Sequence, residues 1–155
     1  MSSGRYCIDT SSLIHGWVRA YPLEVFPTFW GQLQELVADK TVFAPQVVEW
    51  ELETMDDDLL KWCKEAGLFL GLDDDLQGAV SEVLLRHEKI IRAGRGVSDA
   101  DVWVVAAAKV IGATVVSEEN LTGKKSKPRI PDVCLSEGVD HVNLLSFLRT
   151  TGWTF

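Results

Sequence analysis

Long apolar runs are missing from this sequence. No stretch of about eighteen consecutive apolar residues occurs, so no transmembrane helix is expected. The start, Met1-Ser2-Ser3-Gly4-Arg5, also lacks the apolar centre of a signal peptide, and the expectation is a soluble cytoplasmic protein. Cysteine is scarce. Cys7, Cys63 and Cys134 are odd in number, far apart and set among apolar neighbours. Zinc wants paired Cys or His at short spacing, and no such pairs occur. Buried free thiols in a reducing compartment are therefore expected. Positive charge is in deficit as well, with 15 Lys and Arg against 23 Asp and Glu, a net charge of −8. That balance argues against a surface basic overall, the footprint that phosphate backbones attract. Repeats, low-complexity tracts and linkers are absent too, and 155 residues suit one domain with a sizeable core.

The charge is unevenly placed. Arg86, Lys89, Arg92 and Arg95 stand against a single Glu88, and Lys124, Lys125, Lys127 and Arg129 have no acid among them. The acids gather elsewhere, in Asp56-Asp57-Asp58 and Asp73-Asp74-Asp75, which read as helix starts or solvated faces. The glycine-led run 124–129 is different, because such basic loops often face phosphate.

Short apolar strands alternate with helical segments. Strands are expected at 5–8, 41–44 and 113–117, with a fourth beginning in "HVNLL". Helices are expected after Pro27 to 39, over 45–55 with Pro45 in the first turn, and over 58–66, closed by Gly67. Further helices are expected over 74–93 and 99–111, within "IPDVCLSEG" and at the end of the chain; 94–98 reads as a loop and 68–72 is ambiguous. The 99–111 segment is almost wholly apolar and should be covered on most sides. This alternation implies an α/β fold of three layers, with helices on both faces of a mostly parallel sheet of four to five short strands.

In such a sheet, sites form beyond the carboxyl ends of the strands. Asp9 stands at the end of the first strand in "RYCIDTSSLI" and is followed by three hydroxyl residues, Thr10, Ser11 and Ser12. A carboxylate at a buried strand tip is costly unless something binds it. Glu118 and Glu119 follow the strand "ATVVS", and Asp99 and Asp101 open the apolar helix. At about 100° per residue, Val47, Val48, Leu52 and Met55 share one stripe of the helix after the second strand. Glu51 falls within that stripe, while Glu49 and Glu53 fall on the far side. Each acid has a plain structural explanation: Asp9 could cap its turn, and Asp101 could complete a capping box with Ser98. Together they form a set of hard oxygen donors that suits Mg²⁺ or Mn²⁺ and the hydrolysis of phosphodiesters.

The stretches "YCIDTSSLI", "PQVVEWEL" and "SDADVWVVAAAKVIGATVVSEE", in that order, resemble the PIN-domain nucleases over nearly the whole chain. The stretch 23–39 and the ending "IPDVC…VDHVNLLSFLR" resemble a bacterial branch similar to the toxin nucleases of type II toxin–antitoxin pairs. The resemblance implies a PIN-like fold and an RNase using Mg²⁺ or Mn²⁺. It implies that Asp9 and Asp101 hold the main metal, that Glu51 shares ligation or orients water, and that Glu119 completes the site. Asp99 and Glu118 are alternatives in near register, and Ser11 and Ser117 match supporting positions. The family often has Asp where Glu119 stands. An antitoxin partner and a homodimer are also implied; Trp17 and Trp50 are candidate dimer residues. The charge of Lys124, Lys125, Lys127 and Arg129 suits contact with an RNA backbone. A second reading is a non-catalytic PIN-like module that binds RNA or protein. A third, a phosphoaspartate enzyme of the haloacid dehalogenase type with Asp9 as nucleophile, wants an acid where Ser11 stands.

Overall fold

The computed structural model describes residues 4–92, 99–123 and 128–155, and the side chains of 88–92 and 99 lie outside that description. Five parallel strands form the centre: β1 (Tyr6–Ile8), β2 (Val42–Pro45), β3 (Phe69–Leu70), β4 (Thr114–Val116) and β5 (His141–Val142). Their order across the sheet is β3-β2-β1-β4-β5. The helices are α1 (Thr10–Ile14), α2 (Pro27–Ala38), α3 (Gln46–Glu53), α4 (Asp57–Ala66), α5 (Asp74–Arg92), α6 (Asp99–Ile111), α7 (Ile130–Glu137) and α8 (Leu144–Thr151). A π-helical turn, His15–Ala20, extends α1. The expected three-layer α/β fold is present, and every strand pairing is parallel.

β1 is the central strand, so both its faces are covered, which is why Cys7 and Ile8 are both buried and the run does not alternate. α6 packs against β1, β2 and β4. Its residues Val102 and Val104 to Ala108 are all buried, as its composition requires. Outside the sheet, Trp30 collects Trp17, Phe29 and Trp62 edge-on at 4.9, 5.0 and 4.9 Å, and its indole N–H donates to the Tyr21 carbonyl. All three cysteines are free and buried.

Several boundaries differ from the sequence reading. Pro45 is not in the first turn of a helix: it ends β2, pairs with Leu70 and stands just before α3, at its N-cap position. The ambiguous segment 68–72 supplies an edge strand, so the strand at 141–142 is the fifth rather than the fourth. α3 stops at Glu53, which leaves Met55 beyond the helix and exposed instead of in the buried stripe. Asp56 and Asp73 cap the helices that follow them, through bonds from the Leu59 and Leu76 amides, and Gly67 closes α4 with φ of 80°. The loop 94–98, with Ser98 and Arg95, lies outside the described residues.

Candidate metal centre

The chain runs β1-β2-β3 towards one edge, then returns to place β4 and β5 on the other side of β1. The direction of winding therefore reverses between β1 and β4, and a crevice forms there at the strand ends. The Asp9 amide donates to the carbonyl of Val116 at 2.9 Å, which fixes the two strand ends side by side. Asp9 then follows β1, and Ser117-Glu118-Glu119 follow β4.

Asp9 is 4% exposed and caps α1. Its Oδ2 accepts from the Ser11 hydroxyl at 2.7 Å and from the Ser11 amide at 3.2 Å. Burial pushes its carboxyl up to about 7, with Asp101 and more weakly Glu51 adding like-charge repulsion against the two Ser11 bonds. Glu51 points inward from α3, and Thr10 donates to its Oε1 at 2.7 Å. Burial raises its proton affinity as well; the Thr10 bond opposes this and Asp101 adds to it. Glu119 lies past β4. Its Oε2 accepts from the Ile130 amide at 3.3 Å, and Oε1 is 3.6 Å from Arg129 Nη1. Burial raises its proton affinity too, Asp101 adds to this, and Ile130 and Arg129 oppose it.

Asp9, Glu51 and Glu119 thus each feel the negative charge of Asp101, although they come from the ends of two strands and from a helix. The donor set is all oxygen, the kind that Mg²⁺ or Mn²⁺ takes. Among the described residues, no three His, Cys, Asp or Glu side chains stand close enough together to hold an ion.

The two glutamates after β4 separate clearly. The carboxylate of Glu118 turns to α1 and α8, accepting from Ser12 Oγ at 2.8 Å and from the Leu144 amide at 2.9 Å. Glu119 instead contacts Ile130 and Arg129 and feels the charge of Asp101. Ser11 contacts Asp9. Ser117 does not: it is fully buried and its hydroxyl bonds His141 Nε2 at 2.7 Å, joining β4 to β5. Of the basic loop, Arg129 reaches Glu119, while Lys124, Lys125 and Lys127 lie outside the described residues. The side chain of Asp99 does so as well. Trp17 packs on Trp30, and Trp50 is 48% exposed on α3.

Sequence reading did not connect Thr10 to Glu51, or Ser12, His15 and Leu144 to Glu118. The run of three hydroxyls after Asp9 was the available signal, since each of the three reaches a carboxylate. Also missed was a cluster away from the crevice. Glu137 on α7 accepts two bonds from Arg86 and one from Lys109, with His87 at 3.4 Å, tying α5, α6 and α7 together. Arg86 is therefore spent on an internal ion pair.

A family model described as "Domain of unknown function (DUF4411)" matches residues 6–155. The chain belongs to this family. No curated protein sequence matches the chain. Among solved structures, this DUF4411 chain is similar to FitAcB from Neisseria gonorrhoeae, at 17% identity over 89% of this chain and 96% of that one, with a TM-score of 0.53. It is also similar to PAE2754 from Pyrobaculum aerophilum, at 12% identity over 97% and 98%, with a TM-score of 0.52. The fold is PIN-like. No helix among the described residues is long and apolar enough to cross a membrane.

Proposed function

We propose that this DUF4411 chain is a divalent-metal-dependent endoribonuclease, the toxin of a type II toxin–antitoxin pair, acting as a homodimer and restrained by a cognate antitoxin. The observation that carries this is the electrostatic convergence of Asp9, Glu51 and Glu119 on Asp101 at the crevice between β1 and β4. The negative charge of Asp101 raises the proton affinity of the other three carboxylates, and a cation near them would relieve that repulsion. The order of the acidic motifs and the PIN-like fold support the same reading.

Asp9, Asp101, Glu51 and Glu119 would hold Mg²⁺ or Mn²⁺. When bound, such an ion activates water at neutral pH and stabilises charge on the leaving oxygen of a phosphodiester. The chain's own part is positioning. Ser11 orients Asp9, Thr10 orients Glu51, and Arg129 offers a half-exposed cation beside Glu119, where a phosphate of RNA can approach. Lys124, Lys125 and Lys127 extend that positive charge along the sequence.

The spacing of the carboxylates favours one alternative, a PIN-like module that binds RNA or protein without catalysis. One titration separates the two: a competent site raises the melting temperature as Mn²⁺ is added, and the binding module shows no such rise. A small adjacent reading frame with a DNA-binding motif would support the toxin assignment.

A further inference from the structure

We propose that Glu118 is a positioning residue that holds the Ser11 hydroxyl on Asp9 and so sets the carboxylate that a metal would meet. The inference rests on the metal-site reading above, and it gives a role to the glutamate that turns away from the cluster.

Glu118 works through both backbone and side chain. Its amide donates to Ser11 Oγ at 3.0 Å, and that same hydroxyl donates to Asp9 Oδ2 at 2.7 Å. A serine hydroxyl has one hydrogen. With the Glu118 amide on its acceptor side, that hydrogen is committed to Asp9. The amide stays in place because the side chain is clamped. Oε2 accepts from Ser12 Oγ on α1 and from the Leu144 amide at the start of α8, and Oε1 lies 3.8 Å from His15 Nε2. The side chain is 23% exposed. Three segments remote in sequence therefore meet on one residue: 9–15, 117–119 and 143–146. An apolar contact could join α1 to α8 at lower cost than a partly buried carboxylate. What an apolar side chain could not do is fix the direction of the residue's own amide against Ser11.

The test compares the full-length chain with Glu118→Ala and Glu118→Gln. Mn²⁺ affinity is measured by calorimetry without RNA, and metal-free crystal structures of both variants are solved. Gln keeps an oxygen that accepts from Ser12 and Leu144. Glu118→Gln is therefore expected to bind Mn²⁺ within about twofold of wild type. Glu118→Ala is expected to bind on the order of tenfold more weakly, the scale of losses when a group orienting a metal ligand is removed. Its crystal structure should show the Asp9–Ser11 bond broken or Asp9 in two rotamers. The inference is overturned if Glu118→Ala keeps that bond and wild-type Mn²⁺ affinity, even with a lower melting temperature, because the clamp is then only structural. Equal loss in both variants also overturns it, since charge rather than hydrogen bonding would then matter. Should Glu118→Ala not fold, Ser12→Ala removes one donor to the clamp and is expected to shift both readouts in the same direction by less. If wild type itself binds no Mn²⁺, the metal reading fails. The positioning of Asp9 is then decided by the metal-free crystal structures alone.

Discussion

Thr10 and Glu51 stand 41 positions apart and are joined by a hydroxyl–carboxylate hydrogen bond of 2.7 Å. The bond explains how a glutamate is tolerated on the inward face of α3. It also ties α3 to the start of α1, directly after Asp9.

Replacing Thr10 by Val removes the donor at nearly constant volume. We expect a loss of about 1 kcal/mol in stability, the usual scale for a lost hydrogen bond to a partly buried group. The proton affinity of Glu51 should rise further, because the Thr10 bond is what opposes its burial. Urea unfolding at pH 7 measures the first effect. Carboxyl NMR titration measures the second.

Asp9 gives the metal-free protein a definite pH dependence. Its carboxyl is raised from 3.8 to about 7. Between those limits the folded chain keeps a proton that the unfolded chain releases, so stability falls as pH rises through this window and levels above it. Glu51 and Glu119 are shifted in the same direction and add to the slope. Asp9→Asn removes the largest contribution. At pH 8 without metal, the variant should be more stable than wild type by on the order of 2 kcal/mol. Melting curves from pH 4 to 8 on EDTA-treated protein check this. Mn²⁺ added at pH 8 should raise the wild-type melting temperature and leave Asp9→Asn nearly unchanged.

Glu137 behaves in the opposite way. Bonds from Arg86 first, then Lys109, hold its carboxyl down at about 2 against the effect of burial. Its contribution to stability is therefore present above about pH 4.5 and lost as pH falls towards 2. Glu137→Ala leaves Arg86 and Lys109 without their shared partner, and both are partly solvated. The expected cost is about 2 kcal/mol at pH 7, less than for a fully buried pair. No change in Mn²⁺ binding is expected. Chemical denaturation at pH 7 and pH 3 tests the difference.

The sheet was readable because its strands are short, apolar and bounded by polar turns. β1, β2 and β4 came directly from that pattern. The start of β5 was read in "HVNLL" as well, whereas β3, only two residues long, is too short for any periodicity to show and depends on a neighbour that offers hydrogen bonds. The inward position of Glu51 was legible from helical spacing alone. The link between Ser117 and His141 was not, because it joins adjacent strands across 24 residues. Arg86 read as part of a basic surface for a similar reason. Its partner Glu137 is 51 residues away, and only the packing of α5 and α7 on α6 brings the two together. The choice between Glu118 and Glu119 could not be made from spacing, since consecutive residues after a strand point in different directions according to the loop that follows.

We propose that the carboxylates around Asp101 form a metal site that cuts RNA. The most direct test incubates purified wild type, Asp9→Asn and Asp101→Asn with a mixed single-stranded RNA in Mn²⁺ and in EDTA. We predict cleavage by wild type in Mn²⁺ and none in EDTA. Both variants should be folded and at least about 100-fold slower, consistent with loss of electrostatic stabilisation of several kcal/mol. Cleavage at the wild-type rate by both variants would contradict the account.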